Sequence, residues 1–397
     1  MANTLGVYDP IFYANLALEQ LEMQLGITSR IHLGYEKERS VKTKGQVISI
    51  RRPANFTVQN APIAAASVRD FETESVNITL DQYKEVKFAV TDQEFAYTGE
   101  QLISEHIAPQ MRAMADYIDN DVHDLVTTGF GTQYVQATET PGSIVVADLL
   151  GARKLLGENG VPLDDGNLFC GLDHASEATL LGLSQFSQFQ GAGLEGVSTQ
   201  KRGLLGTKYG MEFFVASQAG GRTYTAGDLG RAAGDSLLAV DLAAGYLPGA
   251  KSILCDAGTG VEDVHPGDMV TFAGHPNHYT IASQAPVATN HITLVLKEGL
   301  VKEVVDDEVV TVFGSESTAT DPLPIFHRNA LGIATAPLPS NLPNQLGAKV
   351  ATVMSKDGIA LRSRLYYDGH ASAVYVSIDI LYGLAVLNSM YGCKLLR

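Results

Sequence analysis

Long apolar runs are missing from this 397-residue chain. The best stretch, Ala371 to Met390, is interrupted by Asp379 and several polar residues, so no segment reads as a bilayer span. The start, Met-Ala-Asn-Thr-Leu, lacks the basic-then-apolar pattern of a secretion signal. The glycosylation-type triplets at Asn55 and Asn77 therefore carry little meaning. Cysteine is scarce. Cys170, Cys255 and Cys393 are too widely spaced for a disulfide framework or a metal cluster. They are expected to be reduced and partly buried, in a protein made in a reducing cytoplasm. Cations are in deficit, with 28 Lys and Arg against 44 Asp and Glu, a net charge of −16. That balance argues against a general nucleic-acid binder, which needs a clustered basic surface.

Motifs for chemistry are equally thin. The chain shows no glycine-flanked nucleophilic serine and no phosphate-binding lysine loop. A dispersed triad forms only in the fold, so sequence leaves that question open. Residues 191–196 (Gly-Ala-Gly-Leu-Glu-Gly) fit the dinucleotide glycine pattern, but no strand precedes them and no helix clearly follows. A surface loop is the better reading. His265, His275, His278 and His291 cluster in one segment with Cys255, yet without zinc-type spacing. They read as turn and strand-end residues. Asp119, Asp121 and Asp124 lack the glycine and terminal glutamate of a calcium loop. No cofactor and no metal is expected.

What is present is an ordinary globular composition, 45% hydrophobic and 18% charged, with room for two or three domains. Its most telling part is a strand-rich segment, 31–90, followed by a long one-faced helix. Ile103, Ile107, Met111, Met114, Ile118, Val122 and Leu125 recur at spacings of three and four, which makes one helical stripe. Thr98 and Gln101 form a capping-box pattern, Gly129 supplies a stop, and Pro109 is expected to kink or divide the helix. An ordinary amphipathic core helix has the same pattern. In front of it, Val76, Ile78 and Leu80 alternate with polar residues, as do Val86, Phe88 and Val90. Both read as half-buried strands, with 47–50 as a third. Residues 53–67 read as an irregular loop tip. The segment has little apolar bulk for a core of its own, so an arm covered by other chains is expected.

Charge divides along this region. Arg30, Lys37, Arg39, Lys42, Lys44, Arg51 and Arg52 outnumber Glu36 and Glu38, whereas Asp70 to Asp124 is strongly acidic. One inference is that the basic arm of one subunit meets the acidic flank of another. The candidate contact residues are Arg39, Lys42, Lys44, Arg51, Arg52, Asp70, Glu72, Glu74, Asp116 and Asp119. Solvated faces are the alternative.

Elsewhere, 10–26 reads as a short amphipathic helix, 144–156 as a helix stopped by Asn159-Gly160, 168–170 as a buried strand, and 176–183 as the start of a helix. Residues 129–143 read as a connector and 184–206 as a loop. From 218 to 327 short strands recur between turn signals such as Pro266-Gly267-Asp268, which suggests a small inserted β-barrel or sandwich. Residues 350–354, 359–367 and 373–380 read as an antiparallel meander.

The order of these pieces resembles the major capsid proteins of tailed bacteriophages, and most of all the P-22-type coat proteins with the Hong Kong-97 (HK-97) capsid fold. The resemblance rests on Ala115-Asp116-Tyr117-Ile118-Asp119, on Gly166-Asn167-Leu168-Phe169, on 266–274 and on Asp379-Ile380-Leu381-Tyr382-Gly383. It implies an α+β fold. Its parts would be an N-terminal arm (1–30), an extended β-hairpin loop with flanking strands (31–90), and the spine helix of a peripheral domain (91–130). An axial domain (131–217), an inserted small β-barrel (218–327) and a return to the axial and peripheral domains (328–397) would follow. It also implies a non-enzymatic shell subunit that assembles with itself into pentamers and hexamers of an icosahedral head. The head would enclose double-stranded DNA without sequence-specific binding and without a membrane. Scaffolding protein and a portal are the further implied partners. The location would be the virion, after synthesis in the bacterial host cytoplasm. An encapsulin-like shell for protein cargo and a hydrolase with a β-rich accessory domain are the competing readings.

Overall fold

The computed structural model describes residues 10–33, 47–52, 74–93, 101–135, 143–187, 200–215, 224–225, 237–256, 263–286, 291–313, 319–320, 322–340 and 348–396. The chain divides into two compact units. One comprises Met1–Ile50, Ser75–Val122 and Leu331–Ala385; the other comprises Arg51–Glu74, His123–Ala330 and Val386–Arg397.

The first unit is built on a five-stranded sheet. Its order runs Leu331–Thr335, Ala373–Val386, Ala360–Asp368, Lys349–Met354, and Gln82–Thr91 also pairs with Ala373–Val386. The meander expected near the end of the chain is present as three antiparallel strands. The strand Gln82–Thr91 is antiparallel to the long strand over ten residues, from Thr91 opposite Ala373 to Gln82 opposite Tyr382. For its described strands, this corrects the expectation of an arm with no cover of its own. Ile48, Ile78 and Leu80 are also buried, in one cluster with Ala334, Ala336 and Ala385. The alternating pattern did mark half-buried strands, but their partners lie in the same chain, far along the sequence.

Helix Pro10–Gln24 packs on Lys349–Met354 and Ala360–Asp368. Tyr13, Ala14, Ala17, Leu18 and Leu21 are buried, at the spacing of one helical face. The long helix runs unbroken from Gln101 to Gly129, roughly 44 Å at about 1.5 Å per residue. Pro109 sits inside it rather than dividing it. Its ring is exposed, so the donor it removes is lost on the side where water can replace it. Ile107, Met111, Met114, Ile118 and Val122 are buried as the stripe requires. Val126, not Leu125, takes the next buried position, and Ala115 and Asp119 join the buried arc. Thr98 and its capping box lie outside the described residues.

The second unit holds two larger sheets. One has the order Thr132–Val135, Gly392–Leu396, Leu323–His327, Leu168–Leu172, Met211–Val215, Thr207–Lys208, with both parallel and antiparallel pairs. Three of its strands are buried at every position. Helix Val146–Glu158 packs beside it. The other sheet runs Tyr279–Thr280, Met269–Phe272, Val309–Phe313, Leu237–Val240, Ser252–Asp256, His291–Val295. Its two outer strands also meet, through the bridge of Ile281 with Leu296 and the bond from Ala282 N–H to the Val295 carbonyl at 2.7 Å. The ladder therefore closes on itself. Leu238 and Val240, Ile253 and Cys255, Val270 and Phe272, Ile292 and Leu294, Val310 and Val312 fill its interior. Each pair is two residues apart, as side chains on one face of a strand must be.

Candidate assembly surface

A shell subunit would act through the surface it offers and through the stiffness behind it. The sequence-derived contact residues divide accordingly. Arg39, Lys42, Lys44, Asp70 and Glu72 lie outside the described residues. Arg51 and Arg52 end the strand Val47–Arg52, and Glu74 begins its partner Glu74–Thr79, so these three flank 53–73. Arg51 is exposed. Asp116 is half-buried on the long helix.

Asp119 departs from the acidic surface expected of it. It is buried, and both carboxylate oxygens are used within the unit. One accepts from the Gly26 N–H at 2.8 Å; the other accepts from the Thr28 N–H at 3.1 Å and the Thr28 hydroxyl at 2.6 Å. Asp119 thus holds the turn after the N-terminal helix. Burial pushes its carboxyl above the usual range, against the pull of these bonds. The signal was legible: Asp119 stands four residues after Ala115 and three before Val122, in the same row as buried apolar residues.

The stiffness comes from a group the sequence showed only as an interruption. Asp379, wholly enclosed in the long strand, accepts from Arg362 at 2.5 and 3.1 Å and from the Tyr83 hydroxyl at 2.6 Å. Arg364 stands 3.3 Å from Asp379 and 2.8 Å from Glu85. Arg362 also donates to the Pro339 carbonyl at 3.1 Å. Three strands are joined by this one carboxylate, including Gln82–Thr91. Burial, with the Asp379 charge, raises the Tyr83 hydroxyl. On the same strand, Lys87 lies 4.4 Å from the centre of the Tyr375 ring, which stacks on Tyr366. Lys84 lies over Tyr117 of the long helix. Tyr382 donates to Asp121, so another of the helix aspartates is engaged inside the unit.

In the second unit, Lys394 is fully enclosed and donates to the carbonyls of Thr127 at 3.0 Å and Gly267 at 2.9 Å. Lys297 donates to the carbonyl of Thr128. Both ammonium groups sit at the end of the long helix, where free carbonyls and the helix dipole favour positive charge. Burial still lowers Lys394 to about 7, although the Asp268 charge opposes it, and lowers Lys297 to about 8.

No family model and no curated relative matches the chain. Solved structures do. A structure of Mycobacterium phage Che8 aligns with TM-score 0.50 and 13% identity, over 94% of this chain and 91% of that one. The chain has the HK-97-like phage capsid fold. Two further similar structures are the asymmetric unit of the bacteriophage PhiM1 mature capsid and the virus-like particle from Pyrococcus furiosus. The first has TM-score 0.48 and 12% identity, over 89% and 82% of the two chains. The second has TM-score 0.41 and 9% identity, over 96% and 97%. At such identities the likeness is one of fold.

Of the four histidines singled out by the sequence, His291 stands beside Asp241 and Asp256, while the other three lie apart. His275 contacts the Tyr279 hydroxyl and the Glu303 carbonyl; His278 contacts Glu158; His265 contacts Gln284. They do not converge. Cys170, Cys255 and Cys393 are free and buried, and burial raises each thiol, Cys255 and Cys393 to about 12. Residues 191–196 lie outside the described residues. No described helix is long and apolar enough to cross a membrane.

Proposed function

We propose that this chain is the major capsid protein of a tailed bacteriophage. It is a non-enzymatic subunit that assembles into pentamers and hexamers of an icosahedral head around double-stranded DNA. The observation that carries the reading is the capsid fold, which spans nearly the whole chain at TM-score 0.50. The tethering of the strand Gln82–Thr91 by Asp379 supports it. A segment that must bear load between subunits needs a fixed root, and a buried multidentate carboxylate supplies one.

The arm and loop, 1–90, would then clasp neighbouring subunits, with Arg39, Lys42, Lys44, Arg51 and Arg52 meeting acidic partners such as Asp70, Glu72, Glu74 and Asp116. Asp119 leaves that set, because its oxygens are spent on Gly26 and Thr28. Residues 218–327, which contain the closed ladder, would be an inserted domain that stiffens the subunit. Scaffolding protein and a portal are the partners during assembly, and the bacterial cytoplasm is its place.

Electron microscopy and gradient sedimentation of the recombinant chain, with and without a scaffolding partner, test this. Shells of uniform size that package DNA in an infected cell are expected. A stable monomer in both samples, or shells that enclose protein and exclude DNA, would overturn it. Deletion of 53–67 should leave a folded subunit that assembles poorly; normal, stable particles from that deletion would refute the clasp.

A further inference from the structure

Three side chains of the closed ladder meet in a way neither the capsid fold nor the shell reading uses. Strands Leu237–Val240, Ser252–Asp256 and His291–Val295 are neighbours in that order. Register places Asp256 opposite His291, and Asp256 opposite Ala239 on its other side. Asp241 follows the first strand, fixed by its N–H to the Leu254 carbonyl at 3.0 Å. Val240, Cys255 and Ile292 point into the core. Their sequence neighbours Asp241, Asp256 and His291 therefore emerge together on the outer side, because side chains alternate along a strand.

His291 Nδ1 lies 3.2 Å from Asp241 Oδ2 and 3.1 Å from Asp256 Oδ1. All three atoms fall within 4.8 Å of one another. Nδ1 is itself shielded from solvent, yet neither contact qualifies as a hydrogen bond. Among the described residues, no lysine or arginine pairs with Asp241 or Asp256. The side chains are 44%, 43% and 58% exposed for His291, Asp241 and Asp256, which leaves an open side for water.

Ligands around a first-row transition ion, at bonds of about 2.0–2.2 Å, stand about 3.0–3.5 Å apart. The two nitrogen-to-oxygen distances fall in that interval. One imidazole and two carboxylates are a zinc-type donor set with room for water, whereas the imidazole disfavours the all-oxygen cations calcium and magnesium. We propose that Asp241, Asp256 and His291 form a binding site for a divalent transition cation such as zinc, which ties together three adjacent strand ends of the ladder. The inference does not depend on the shell reading, since it concerns one unit of one chain.

The test uses the full chain, stripped with EDTA and dialysed, and titrated calorimetrically with zinc chloride, with calcium and magnesium chloride as controls. One zinc per chain is expected, with a rise in melting temperature and no response to the controls. Asp256→Asn and His291→Gln should each abolish stoichiometric binding and the rise. Their side chains are partly exposed, so the metal-free variants should melt cooperatively. His265→Gln should bind as the unaltered chain does. No stoichiometric binding would overturn the site, and so would binding that survives both variants. A destabilisation by His291→Gln that is the same with and without chelator, and with no zinc response in the unaltered chain, would assign the cluster to an ion pair alone and also overturn it.

Discussion

Asp379 and Lys394 are both enclosed charges on strands near the end of the chain, and the fold accommodates them in opposite ways. Asp379 meets two guanidinium groups and a phenol at 2.5 to 3.3 Å. Lys394 donates to two carbonyls near the end of the long helix, and burial outweighs the favourable charge of Asp268. The first arrangement fixes a charge and three strands with it. The second leaves a charge that protons can switch near neutrality. Fixed strands suit a root that must not move; a titratable cap makes the end of the long helix responsive to pH.

The largest expected effect breaks the first arrangement. Asp379→Ala leaves the Arg362 guanidinium buried without its partner and should cost about 3–5 kcal/mol in urea unfolding. Asp379→Leu combined with Arg362→Met should recover much of that loss; strict additivity of the two single changes would show that the pair is not coupled. Next comes the same strand by a steric route. A Cβ on Gly383 would stand 2.1 Å from the Thr79 carbonyl oxygen, so Gly383→Ala should cost about 1–3 kcal/mol through backbone displacement. An unchanged denaturation midpoint would refute the close approach.

The second arrangement is probed by pH. The unfolded chain keeps the Lys394 proton up to about 10.4. The folded chain releases it near 7. Between those values the folded state binds fewer protons, so stability should rise with pH, by at most about 1.4 kcal/mol per unit for one lysine. Below 7 both states are protonated and the contribution is flat. Lys394→Met should remove the rise between pH 7 and 8, leaving the part due to Lys297, which begins at about 8. An identical slope in the variant would sink the assignment.

The smallest effect is at a charge near the surface. His327 holds the Asp165 carboxyl down to about 2 through a contact of 2.8 Å. Its folded value lies below the unfolded one, so its stabilisation is present above about pH 4 and fades as pH falls toward 2. Asp165→Asn should cost less than about 1 kcal/mol at neutrality and flatten the acid limb, because the carboxylate is solvent-screened.

Much of the fold was legible where one face of an element is wet. The strands at Met269–Phe272 and Val309–Phe313, the helix near 146–158 and the final meander announced themselves by periodicity and turn residues. Of the strands buried on both faces, only Leu168–Leu172 showed itself, as a short apolar run. Leu323–His327 carries a proline and no alternation, and Gly392–Leu396 hides a lysine in an apolar run. Thr132–Val135 falls within the expected connector, because a short edge strand of mostly polar residues looks like one. Among candidate contacts, Arg51 is exposed and Asp116 half-buried, while the charge of Asp119 hid its place in the buried row of the helix. The Asp379 network was invisible because its members come from residues 83, 362, 364 and 379, joined only by strand pairing.

The closed ladder has a consequence at high concentration. Open sheets end in rows of unpaired amide and carbonyl groups, which can recruit another chain's strand. Here the two outer strands meet through Ile281 and Leu296, and through the bonds of Ala282 to Val295 and Lys297 to Thr280, so that stretch of the row is already paired. At that seam another chain's strand finds no open row of amide and carbonyl groups to add to. Contacts made across that seam fall to side chains, which can be specific.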